Sequence, residues 1–185
     1  LTSLLNEYEF TEQDIFQHQN IWHSYWHHSS FSSLDKQQML DRLNQSAKIA
    51  QQQLSKTNRL IITFGTAYAY VHKAWQGVVA NCHKLPQSQF IKKRLAVAEI
   101  LEMYQPVFHQ LKQQSPELQI IITVSPIRHI KDGIIENQRS KAILLLATEA
   151  LANRFDFVHY FPAYEYLMDE LRDYRFYAKD LLHPS

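Results

Sequence analysis

The sequence predicts an α/β fold built on a mainly parallel sheet, and three observations carry that reading. Helix-period and strand-type segments alternate along the chain. The strand candidates are short apolar runs rich in β-branched residues, and they stop at Gly65, Ser125-Pro126 and Pro162. With 185 residues, 45% of them hydrophobic and 20% charged, the chain has the length and composition of one globular domain.

The elements follow in order. Ser33 to Lys56 reads as an amphipathic helix capped by Ser33, with Leu40, Leu43, Ala47, Ala50 and Leu54 at three- and four-residue steps. Arg59 to Phe64 is a continuous apolar run that suits a buried parallel strand ending at Gly65. Ala67–Val71 and Gly77–Ala80 form a hairpin insertion turning near Gln76-Gly77, with Asn81-Cys82-His83-Lys84 on its exit. From Phe90 to about Gln114 the spacing of Val97, Leu101, Tyr104, Phe108 and Leu111 predicts a helix that Pro106 kinks or divides. Leu118 to Val124 is the strongest strand signal. Glu136 to Arg154 reads as a mostly apolar helix, Phe155 to Phe161 as a third strand, and Tyr164 to Tyr177 as a helical or irregular tail leading to Asp180. In a parallel sheet the loops at the carboxyl ends of the strands line the ligand crevice. Gly65-Thr66, Ser125 to His129 and the loop carrying Asp180 and His183 are therefore expected on one edge.

Composition narrows the function classes. Nineteen Lys and Arg against eighteen Asp and Glu leave a net charge of +1 without a basic run, which gives no case for nucleic acid. The single Cys82 excludes an internal disulfide and a multi-cysteine zinc site. No apolar stretch approaches the roughly 18 to 20 residues that span a bilayer.

The motif with most chemical content is Asp180-Leu181-Leu182-His183. The carboxylate can accept from imidazole Nδ1–H, leaving Nε2 to take a proton from a nucleophile. The same spacing also arises on helix surfaces by chance; its place after the last strand, next to Pro184, favours the chemical reading. Ser125 with His129 is a second conceivable nucleophile and base, but Pro126 opposes the sharp turn of a Gly-x-Ser-x-Gly elbow, so Arg128 and His129 read better as cleft-lining groups. Asn81 either offers its side-chain amide to an oxyanion or caps a turn. His18, His23, His27 and His28 crowd one region with Trp22 and Trp26. They match no His-Glu-x-x-His spacing and read as surface hydrogen-bonding groups. Cys82 beside His83 reads as a buried, inert thiol.

Several segments together resemble a known family. Ile62-Thr63-Phe64-Gly65-Thr66-Ala67-Tyr68, Val79-Ala80-Asn81-Cys82-His83-Lys84-x-Pro86, Val124-Ser125-Pro126-Ile127-Arg128-His129-x-x-Asp132-Gly133, Tyr160-Phe161-Pro162-Ala163-Tyr164-Glu165 and Asp173-Tyr174-Arg175-Phe176-Tyr177-x-x-Asp180-x-x-His183-Pro184-Ser185 are similar, in this order, to the GSCFA-domain proteins of bacteria. That family looks like a branch of the SGNH/GDSL hydrolases, which implies a flavodoxin-like three-layer α/β/α sandwich and ester or acyl hydrolysis without a cofactor or metal. The resemblance implies Asp180 and His183 as a triad pair, and the Gly65 loop as the turn that normally carries an oxyanion-hole asparagine; on the residue reading, Gly65, Thr66, Asn81 and His129 are the candidates for the oxyanion and substrate-binding side. Two departures follow. The Gly-Ser-Cys-Phe-Ala segment with the presumed nucleophile is absent, and where a Gly-x-Asn-Asp turn is usual the chain reads Gly65-Thr66-Ala67-Tyr68. The chain therefore reads as an excerpt truncated at both ends and inactive alone.

Two functions are expected from different classes. One is a Ser-dependent esterase or O-deacetylase acting on a small-molecule or carbohydrate-linked acyl ester, with its Ser outside the chain. The other is a non-catalytic ligand-binding or interaction domain on the same scaffold. A bacterial cytoplasmic location is the default expectation, and the oligomeric state is left open.

Overall fold

Three parallel strands form the sheet that the sequence predicts, and they do so in the computed structural model, which describes residues 1–185. The elements in chain order are α1 (Thr2–Leu5), β1 (Phe16–His18), β2 (Ile21–His23), α2 (Lys36–Leu54), β3 (Arg59–Phe64), β4 (Tyr68–His72), β5 (Val78–Val79), β6 (Phe90–Arg94), α3 (Val97–Gln114), β7 (Gln119–Val124), α4 (Ile134–Arg154), β8 (Val158–Tyr160) and α5 (Ala163–Glu165). Short single turns fill the tail, π-helical over Tyr166–Glu170 and 3₁₀ over Tyr174–Phe176. The chain divides into two compact units, Leu1–Thr57 with Ala69–Lys93, and Asn58–Tyr68 with Arg94–Ser185.

The first unit gathers its core around α2. Met39, Leu40, Leu43 and Ala47 form the buried stripe of that helix and pack with Phe10 and Ile15. The helix is capped by Asp35, whose carboxylate accepts from Gln38 N–H at 2.6 Å, and not by Ser33, which instead accepts from Asp35 N–H at 3.2 Å. Asn44 ties the incoming chain to the helix by bonding both the N–H and the C=O of Phe10, at 2.7 and 3.0 Å. The β4–β5 hairpin is the expected one, with Tyr70 opposite Val79 and Val71 opposite Val78. It gains a third strand, β6, from residues that the sequence had assigned to the start of a helix. The β1–β2 hairpin was not anticipated at all.

The second unit holds the parallel sheet, in the order β3-β7-β8. Leu60, Ile62 and Phe64 stand in register with Ile120, Ile122 and Val124, and those three β7 residues are fully buried. The expectation that β3 is buried throughout needs correction, because Ile61, on the opposite face, is 66% exposed. α3 and α4 pack on each other, and α4 also packs on β7 and β8. Tyr104 of α3 packs its ring, tilted by 59°, on Phe64 at a centroid distance of 5.0 Å, and Phe108, fully buried, meets Phe155. α3 starts at Val97 rather than Phe90 and runs uninterrupted through Pro106, so that proline does not divide it. At its N-terminus Glu99 reaches back to accept from Ala96 N–H at 2.9 Å. α4 begins after Gly133, whose φ of 84° is the left-handed geometry that a glycine adopts without Cβ strain.

Candidate functional site

The carboxyl edge of the parallel sheet is organised by one face of α4. Asn137, Ser140 and Lys141 sit at i, i+3 and i+4 on its first two turns, and all three are buried. Asn137 Oδ1 accepts from the backbone N–H of His129 at 2.9 Å. Ser140 Oγ accepts from Ala67 N–H at 2.7 Å and meets Thr66 Oγ1 at 3.1 Å. Lys141 Nζ donates to Gly65 O at 2.7 Å and to Ser125 O at 2.6 Å. Burial lowers the Lys141 ammonium to about 8 from its ordinary value, because no carboxylate offsets its lost hydration. The loops after β3 and β7 are thus pinned to the same helix. His129 Nε2 lies 3.8 Å from the position a Cβ on Gly65 would take. Gly65, Thr66 and His129 come together, as the sheet topology predicts.

Around them lies a polar and apolar rim. Glu136 accepts from Tyr68 OH at 2.5 Å and pairs with Arg94 and Arg139; the Tyr68 bond first, then the arginines, hold its carboxyl below the usual range. A cavity of about 60 Å³ opens between Pro126, Arg128, Ile130, Ile134, Asn137 and Met168. The Arg128 guanidinium stacks over the Tyr177 ring at 5.5 Å, which links the β7 loop to the tail segment carrying the Asp-x-x-His motif. Ser125 Oγ accepts from Ile127 N–H at 3.3 Å, a local turn bond rather than a bond to His129.

The tail closes on itself around the Asp-x-x-His motif. Tyr177 and Pro184 form an isolated antiparallel bridge, Ala178 N–H donates to His183 O at 2.7 Å, and Ser185 N–H donates to Phe176 O at 3.0 Å. Within that loop Asp180 and His183 are paired, with Nδ1 to Oδ2 at 2.6 Å. A carboxylate only accepts, so Nδ1 carries the proton and Nε2 is left as the basic nitrogen. Asp180 also accepts from the backbone N–H of Leu182 at 2.9 Å and of His183 at 3.1 Å. Those backbone bonds first, then the imidazole, hold the Asp180 carboxyl at about 2. Both side chains remain about half exposed, at 54% for His183 and 46% for Asp180, so the pair is open to an incoming group.

Asn81 belongs to the first unit and is engaged there. Its Oδ1 accepts from His83 N–H at 2.9 Å and its Nδ2 donates to His27 O at 3.4 Å, so the side chain stabilises a turn. Cys82 is half-buried, and burial raises its thiol above the ordinary range. The amino-terminal histidines bond to serines, His23 to Ser32, His27 to Ser24 and His28 to Ser30 through Nδ1.

The residues that sequence reasoning missed are Asn137, Ser140 and Lys141. A signal was present: three polar side chains one turn apart at the start of a helix whose N-terminus, in a parallel α/β unit, faces the carboxyl ends of the strands. No curated protein and no solved structure matches the chain. The model of the GSCFA family matches it over residues 1–185, and the chain belongs to that family.

Proposed function

We propose that this chain carries the acid–base pair of a serine-dependent ester or acyl hydrolase, an esterase or O-deacetylase, on a three-layer scaffold of the SGNH type. The observation that carries the reading is the 2.6 Å bond between His183 Nδ1 and Asp180 Oδ2, on an open loop with Nε2 unclaimed. A serine hydroxyl from outside residues 1–185 would attack the ester carbonyl carbon while His183 Nε2 takes its proton. The tetrahedral intermediate would then expel the alcohol, which leaves with that proton. Water repeats the sequence on the acyl-enzyme, releasing the acid and restoring the serine. Asp180, held ionised, keeps the imidazole in the right tautomer and offsets its charge when protonated.

The substrates that fit are small esters or O-acyl groups on a carbohydrate. The 60 Å³ cavity beside Arg128 is of a size for a short acyl group rather than a long chain. The test is hydrolysis of p-nitrophenyl acetate by the full-length protein with and without His183→Ala. Loss of turnover in the variant is expected; equal rates would remove His183 from the chemistry. The competing reading, a binding domain without turnover, draws on Thr66-Ala67-Tyr68 standing where the usual turn carries an asparagine. It predicts no hydrolysis in either protein.

A further inference from the structure

The peptide unit between Gly65 and Thr66 is held from one side and open on the other. Gly65 O accepts from the buried Lys141 ammonium at 2.7 Å, while Thr66 N–H has no acceptor in the chain. The peptide is trans, so the C=O and the following N–H point in opposite directions. Fixing the carbonyl toward Lys141 therefore aims the Thr66 N–H away from α4. The next peptide is fixed as well, because Ser140 Oγ takes the Ala67 N–H at 2.7 Å and contacts Thr66 Oγ1. Lys141 also holds Ser125 O at 2.6 Å, which couples the β3 loop to the β7 loop through one ammonium.

We propose that Lys141 is a positioning residue that orients the Thr66 backbone N–H as an oxyanion-binding donor at the carboxyl edge of the sheet. The chemical part of this inference rests on the acyl-hydrolase reading. In that setting the tetrahedral oxygen of an ester intermediate is the ligand, and a preorganised backbone donor substitutes for the asparagine amide that this turn lacks. The choice of lysine has a physical reason. Two strand-end carbonyls that converge on a helix need donors, and an ammonium supplies both from one atom. Keeping that cation buried without a carboxylate partner carries a desolvation cost, and a structural tie alone could be made by a neutral group. The cation adds positive potential behind a peptide whose N–H faces developing negative charge.

The test combines amide exchange and kinetics on the full-length protein. In Lys141→Met, exchange at Ala67 and across residues 125–129 speeds up while the β7 amides stay protected. With p-nitrophenyl acetate the same variant loses about 10- to 100-fold in kcat with KM within about twofold, the pattern of a contact made only in the transition state. Unchanged exchange in the variant, or a loss confined to KM, overturns the positioning role. Should Lys141→Met fail to fold, the native protein decides: Thr66 must exchange fast and Ala67 slowly, and a protected Thr66 amide overturns the proposal. A native protein that does not hydrolyse the ester, or that matches His183→Ala, sinks the hydrolase reading, while the exchange data still judge Lys141.

Discussion

Asp180 holds His183 at two points, accepting from its ring through Oδ2 at 2.6 Å and from its backbone N–H through Oδ1 at 3.1 Å. The carboxylate therefore sets both the position of the residue and the orientation of its imidazole. Asp180→Asn keeps an oxygen for the backbone but turns an NH₂ toward Nδ1, which favours the tautomer with the proton on Nε2. We expect kcat for p-nitrophenyl acetate in the full-length protein to fall by about 10³- to 10⁴-fold. The melting temperature should stay nearly unchanged, because both side chains are half exposed. An Asn variant with native kcat would show that Asp180 has no part in the chemistry.

The same geometry fixes how Asp180 titrates. Its carboxyl is held at about 2, with the Leu182 and His183 backbone bonds as the larger causes and the imidazole as the smaller. A depressed folded value means that the stabilisation is present above the unfolded value of 3.8 and is lost progressively as pH falls from there through about 2. In His183→Ala the backbone donors survive, so a ¹³C carboxyl titration of Asp180 should still give a midpoint well below 3.8. A return to the unfolded value would mean that the imidazole, not the loop backbone, dominates.

Gly77 is required for the way Trp75 lies. A Cβ at Gly77 would fall 1.6 Å from Trp75 Cζ3, and the same indole stacks on His72 at a centroid distance of 5.4 Å. Gly77→Ala must therefore push the ring off His72. Since Trp75 is 44% exposed, the ring can swing into water, and the stability loss should stay near about 0.5–1 kcal/mol. Tryptophan emission should shift to the red in Gly77→Ala and not in the same substitution made on Trp75→Phe. A shift that persists without Trp75 would place the disturbance elsewhere in the fold.

The parallel sheet was legible because Ile120, Ile122 and Val124 belong to a run whose length and β-branching admit little else, and β3 lies beside it in full register. The Asp180–His183 pair was legible because a three-residue spacing brings two side chains together in a local turn. β6 was not: Phe90-Ile91-Lys92-Lys93-Arg94 suits either period, and its pairing with β4 decides for strand, a non-local contact that no window reveals. Lys141 escaped for a different reason. A lysine in a helix normally faces water, and only the convergence of Gly65 O and Ser125 O on one point makes burial favourable. Pro106 marks the limit of a propensity rule, since a helix packed along Ile100, Phe108 and Leu111 tolerates it.

The histidines of the first unit predict acid lability. His83 is buried; its Nε2 meets Ser24 O at 2.7 Å, so Nε2 holds the proton and the buried Nδ1 has no partner. The His23 ring lies 4.6 Å from that of His83. Burial first, then the neighbouring His83 and His18, lowers His23 below 6.5; burial first also lowers His27, against an opposing pull from Asp14. Between those folded values and 6.5 the unfolded chain binds more protons than the native one, so stability falls as pH drops below about 6.5 and is fully present above it. The urea midpoint should accordingly be lower at pH 5.5 than at pH 7.5, and His23→Gln combined with His27→Gln should flatten that difference. A native midpoint equal at the two pH values would mean that His23 and His27 take up protons in the fold without cost, contrary to the burial that lowers both.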